Sequence, residues 1–161
     1  MHRKIEATFD HVLQTLEGIS EELWNHAAPS GGWSIAQVCE HMILSASAPP
    51  DGILGEPDRL FDAEASAIEI CMLDRLQKRT CPAQLYPSGL SSCKASLMAD
   101  LAAASFLLSE YAQTKDLTLL CLSTKLLHFG FVTRHEWLIY ICAHSNRHVQ
   151  QVEEFCGKIR I

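Results

Sequence analysis

Three stretches of this chain repeat apolar side chains at helical spacing, and a fourth does so with two histidines in its stripe. The first stretch carries Ile5, Phe9, Val12, Leu16, Ile19 and Leu23, spaced 4-3-4-3-4. Residues three and four apart share one face of a helix, so the pattern predicts one amphipathic helix with a continuous buried stripe. A second helix should open at Ser34, where Ser34 and Gln37 form an S-x-x-Q capping box flanked by Trp33 and Val38. The loop before it is Pro29-Ser30-Gly31-Gly32, and Pro49-Pro50 forces it to stop. A third helix should open near Ser91 or Ser92 and show Leu97, Leu101, Ala104, Leu108 and Tyr111. The last repeats the start signal of the second: Thr133 and Glu136 form a T-x-x-E box between Val132 and Trp137.

Between these stretches the pattern is weaker. Residues 46–59 read as a loop and 62–74 as a short helix. Cys81-Pro82 to Tyr86-Pro87-Ser88-Gly89 reads as extended or turn-like, and Leu117–Leu122 as either a strand or a helical turn. With four helices and no strand signal of comparable strength, the expected fold class is all-α, a four-helix bundle in a single domain over 1–161. A chain of this length can bury roughly 70% of its unfolded surface, so its core needs no disulfide or metal staple.

Charge and cysteine content narrow the function. Thirteen Lys and Arg against nineteen Asp and Glu leave a net charge of −6, which disfavours nucleic acid or an anionic membrane as partner. The one basic run, Arg75, Lys78 and Arg79 after Asp74, reads as a solvated surface. Seven cysteines include no C-x-x-C pair, and no signal peptide precedes the first helix, so reduced thiols in a cytoplasmic protein are expected. No apolar run reaches membrane-spanning length.

The last stripe reads Trp137, Ile141, His144, His148, Val152 and Phe155. His144 and His148 are one turn apart, where two neutral imidazoles can converge on one divalent ion. The same spacing serves two core histidines bonded to carbonyls. Their place in an otherwise apolar stripe favours the ion, because an unsatisfied ring there is costly. His41 can point inward from the second helix. If the second and fourth helices run antiparallel, it lies at a similar depth. Binding should weaken below about pH 6, since a protonated imidazole cannot ligate. Of the remaining histidines only His128, beside Phe129-Gly130, is a candidate pocket residue.

The segment Trp33-Ser34-Ile35-Ala36-Gln37-Val38-Cys39-Glu40-His41 resembles the W-S-x-x-Q-x-x-E-H segment of the DinB-like (DinB/YfiT) superfamily. Phe129-Gly130, Glu136-Trp137-Leu138 and the run His144-Ser145-Asn146-Arg147-His148-Val149-Gln150-Gln151 are similar to its closing F-G, E-W-L and H-x-x-R-H-x-x-Q pattern. The turn Pro87-Ser88-Gly89 is similar to a P-x-G turn of some members. The resemblance implies a four-helix bundle of up-down-down-up topology, a homodimer, and one zinc or nickel ion on His41, His144 and His148. It also implies a small-molecule substrate and either hydrolase or thiol S-transferase activity, the latter with a low-molecular-weight thiol. A non-enzymatic bundle with a structural ion is the alternative. Beside the triad, Glu40 is a candidate general base, although one residue of helix turns it about 100° from His41. Gln151, seven residues beyond His144, could orient a ligand or cap a polar patch. Arg147 could hold an anionic group or, the favoured reading, make structural pairs. Glu136 is accounted for by capping and Trp137 by the core.

Overall fold

The computed structural model describes residues 1–28 and 31–159, so Pro29 and Ser30 of the predicted loop lie outside the described residues. It is mainly helical. The elements in order are α1 (His2–Glu17), α2 (Glu21–Trp24), α3 (Ile35–Ser45), β1 (Leu54–Gly55), α4 (Ala65–Leu73), α5 (Lys94–Thr114), β2 (Leu120–Cys121) and α6 (Arg134–Ile159). Single 3-10 turns occur at Ala83–Leu85 and Leu127–Phe129. No helix among the described residues is long and apolar enough to cross a membrane.

The first stripe is buried as its spacing requires: Ile5, Phe9, Val12 and Leu16 are within 1% of fully inaccessible. Each such side chain contributes about 1.5–3 kcal/mol by leaving water. The helix itself is shorter than the stripe. It ends before Gly18, and Ile19 and Leu23 reach the core from a turn and from α2, which also buries Trp24 completely. The start of α3 is capped on both sides: Gln37 N–H donates to Ser34 Oγ, and Ser34 N–H donates to Gln37 Oε1. At α6, Glu136 N–H donates to Thr133 Oγ1, and Thr133 N–H donates to Glu136 Oε2.

Packing is pairwise. Helix α1 lies against α5 and α6, and α3 lies against the same two, around one apolar core. Helix α4 packs on α6 through a second core of Ile68, Met72, Val132, Ile139 and Ala143. Of the two readings of 117–122, strand or helical turn, the strand is the one found, at Leu120–Cys121. Leu54 pairs with Cys121 and Gly55 with Leu120 in a two-stranded antiparallel sheet.

That sheet belongs to a larger anchorage of the 46–64 crossover on the start of α6. Arg134 holds Asp51 with two charge-assisted hydrogen bonds, both 2.8 Å, and Arg59 holds Glu136 with two more of 2.6 and 2.8 Å. Thr133 Oγ1 donates to the carbonyl of Phe61 at 2.6 Å. The crossover is thereby fixed by paired ionic and polar groups. No disulfide joins any of the seven cysteines, and Cys39, Cys121 and Cys142 are buried.

Candidate metal centre

Helix α3 supplies one imidazole and α6 two. His41, His144 and His148 are 4%, 8% and 8% exposed, and their ligand nitrogens all lie within 4.8 Å of one another. His144 Nε2 stands 3.3 Å from His41 Nε2 and 3.2 Å from His148 Nε2. A tetrahedral ion with metal–nitrogen bonds of about 2.0–2.1 Å spaces its nitrogens about 3.3–3.4 Å apart, so the two separations from His144 match one ion.

The outer nitrogens decide which ring atoms are available. His41 Nδ1 lies 2.8 Å from the carbonyl of Leu85, which can only accept, so that nitrogen carries the proton and Nε2 presents a lone pair. Gln151 Oε1, 3.0 Å from His148 Nδ1, fixes the second ring in the same way. A proton on His144 Nε2 could serve one of these lone pairs and would leave the other facing nitrogen. One cation between the rings satisfies all of them. The donor set therefore fits a divalent metal, and Leu85 and Gln151 are the outer groups that orient its ligands.

Burial lowers the proton affinity of all three rings. It is the largest cause for His41, opposed by the Leu85 hydrogen bond. Burial, then the positive potential of His148, His41, Arg147 and Arg79, holds His144 well below its usual 6.5. His148 is pushed down to about 3 by burial first and His41 next. The neutral, metal-ready form is thus favoured by the fold.

A sequence model of the DinB superfamily matches residues 4–152. The chain belongs to the DinB superfamily. No curated protein and no solved structure matches it.

Around the triad of this DinB-superfamily protein the other candidates separate. Gln151 touches His148 directly. Glu40 faces away from the ring cluster: its two carboxylate oxygens accept from Ser88 N–H at 3.0 Å and Ser88 Oγ at 3.1 Å. Arg147 donates to the carbonyls of Met72, Asp74 and Gln77, at 2.5 to 3.1 Å, and so caps the end of α4. His128 is exposed, and its neighbour Leu127 lines the metal cavity instead.

Several residues of the site escaped sequence reasoning. Trp33, taken as half of a capping staple, packs its ring 4.9 Å from that of His41 and 5.7 Å from that of Tyr86. Tyr140 stacks on His144 at 5.5 Å, a contact its i, i+4 spacing could have disclosed. Cys81 places its thiol 3.7 Å from His41 Nδ1, from a loop with no periodic signal. Arg75 and Arg79 line the cavity, so the solvated-surface reading is corrected for these two, while Lys78 is exposed.

The depressed proton affinities give a signed pH prediction. The unfolded chain takes up protons on these rings near pH 6.5, whereas the folded apo protein resists until far lower values. Their contribution to stability is therefore complete above about pH 6.5 and lost as the pH falls towards 3. Protons should compete with metal only in that same acid range, below the pH 6 expected of free imidazoles. Equilibrium dialysis against buffered zinc should show the ion retained at about pH 6. Release with a midpoint of 6.5 or higher would contradict the burial argument.

Proposed function

We propose that this chain is a metal-dependent enzyme that holds one divalent ion, zinc or nickel, on His41, His144 and His148 and acts on a small molecule. The proposed chemistry is hydrolysis or S-transfer from a low-molecular-weight thiol. One observation carries the reading: the triad opens onto a cavity of about 260 Å³ and, among the described residues, no fourth protein ligand seals it. Structural sites close their coordination sphere, while catalytic ones keep a position for an exchangeable ligand. A divalent ion supplies Lewis acidity there and lowers the pKa of a coordinated water or thiol.

The chain's own groups prepare that chemistry. Leu85 and Gln151 hold two rings in the tautomer that offers Nε2, and the Tyr140 and Trp33 rings restrict how His144 and His41 can turn. Arg79, lining the cavity, favours an anionic ligand. We also propose the up-down-down-up bundle topology and the homodimer of the superfamily. The paired contacts of α1 and α3 with α5 and α6 support the first. Phe106 and Leu107, 70% and 61% exposed on α5, support an apolar dimer face.

Chelation tests the catalytic reading against a structural ion. The core around Phe9, Trp24 and Leu101 is built without the triad, so the apo protein should keep most of its helical circular dichroism. Collapse to random coil on chelation would mean that the ion ties the helices together. Cobalt substitution separates the two chemistries. A sulfur-to-cobalt charge-transfer band with glutathione, bacillithiol or mycothiol is expected for the transferase, and silence with all three removes that branch.

A further inference from the structure

The metal cavity has a neighbour. A second cavity of about 330 Å³ lies beside it, and the two have Trp33, Arg75, Arg147 and Gln151 in common. Its walls are apolar at Ile35, Val38, Val152 and Phe155 and basic at Arg75 and Lys78. In a chain of net charge −6, the basic run at 75–79 thus borders the cavities, with Arg75 and Arg79 half-buried and Lys78 exposed at the rim.

The states of these basic groups differ. Arg147 is committed to three carbonyls. Arg75 holds the carboxylate of Glu154 side-on, with Nη2 at 2.9 Å and Nε at 3.4 Å, but the pair is 29% and 52% exposed and hence weak. Lys78 makes no hydrogen bond or ion pair among the described residues. Arg79 Nε is buried without an acceptor, a state that a native fold rarely leaves uncompensated.

We propose that this second chamber is a carboxylate subsite, and that the substrate is a small molecule with a reactive end at the triad, an apolar middle and a carboxylate held by Arg75 and Lys78. The proposal rests on the metal-dependent reading and extends it to a substrate class. The apolar walls fit the linker, and Lys78 adds the charge that Glu154 alone leaves unpaired. A guanidinium fork matches the planar carboxylate that Arg75 already accepts in Glu154.

Alkyl hydroxamates of graded length, ending in a carboxylate, a primary amide or a phosphonate, test this on the zinc-loaded protein by calorimetry. At the best length the carboxylate should bind about tenfold more tightly than the neutral amide. Arg75→Gln with Lys78→Met should erase that preference, whereas Glu154→Gln should enlarge it. Equal binding of acid and amide, or a preference that survives the double substitution, would overturn the subsite. A phosphonate that outranks the carboxylate would overturn the carboxylate assignment. In the metal-free protein, hexanoate should still quench tryptophan fluorescence at lower concentration than hexanamide, with the same dependence on Arg75 and Lys78, and loss of that difference would also overturn the subsite. Failure of acetohydroxamate alone would therefore count against the metal-dependent reading and not against the chamber.

Discussion

Replacing His144 by alanine should strip the chain of its ion, from close to one per chain to a small residue, as measured by elemental analysis after desalting. His144 is the ring whose Nε2 faces both of the others, at 3.3 and 3.2 Å, so its removal leaves two ligands on different helices. His41→Ala and His148→Ala should behave alike, since each leaves two of three donors. Gln151→Ala is the graded control. It frees the His148 ring from its orienting bond and should weaken binding by roughly 10–100-fold without abolishing it. Full occupancy in His144→Ala would sink the assignment of the site. Helical content should change little, because truncating a ring at this cavity leaves the packed side chains of α1, α3 and α5 in place.

The largest stability effect is expected at Glu136, far from the metal. Its side chain is fully buried, and its carboxylate accepts four hydrogen bonds, from two nitrogens of Arg59 and the backbone N–H groups of Glu64 and Thr133. Burial alone would raise its pKa, but Arg59 and the two amides outweigh it and hold the carboxyl below its usual 4.5. A depressed carboxyl stabilises the fold above its unfolded pKa and loses that contribution as the pH falls through the folded value. Glu136→Ala strands the Arg59 guanidinium and leaves the N–H groups of Glu64 and Thr133 without their acceptor. It should cost about 3–5 kcal/mol, the range for removing one partner of a buried ion pair. In thermal denaturation this corresponds to a midpoint lowered by roughly 10 °C. Ser34→Ala at the other capping box should cost only about 1 kcal/mol. A Glu136→Ala loss no larger than that would mean the crossover anchorage contributes little.

What could be read from the sequence was what is encoded locally. The start of α3 at Ser34, the start of α6 beside Thr133, and the stripe of Ile5, Phe9, Val12 and Leu16 each depend on residues within one or two turns. The convergence of His144 and His148 also follows from one helix, and the rotation of Glu40 away from His41 from another. The pairing of Leu54 with Cys121 could not be read, because two-residue strands carry no periodicity and join loops 67 positions apart. The same distance hid the partners of Glu136: its capping role was legible at 133, but Arg59 comes from a loop 77 positions earlier. Arg75 and Arg79 were misjudged for a related reason. Charge spacing alone cannot tell a solvated face from a cleft wall, since the opposite wall belongs to α3 and α6.

One feature of the cleft bears on time rather than affinity. No residue from 73 to 96 is buried, and this stretch holds only one 3-10 turn between the end of α4 and the start of α5. Yet it supplies Arg75, Arg79, Cys81 and Leu85 to the site, and Leu85 carries the carbonyl that orients His41. A segment with so little packing opens at far lower free energy than the helices it joins. Each such excursion would unroof the cleft and release the His41 ring from its tether while both apolar cores stay closed. On the proposed function, exchange of the ion and departure of a product would then be clocked by the breathing of residues 73–96, at a rate independent of how firmly the rest of the fold is held.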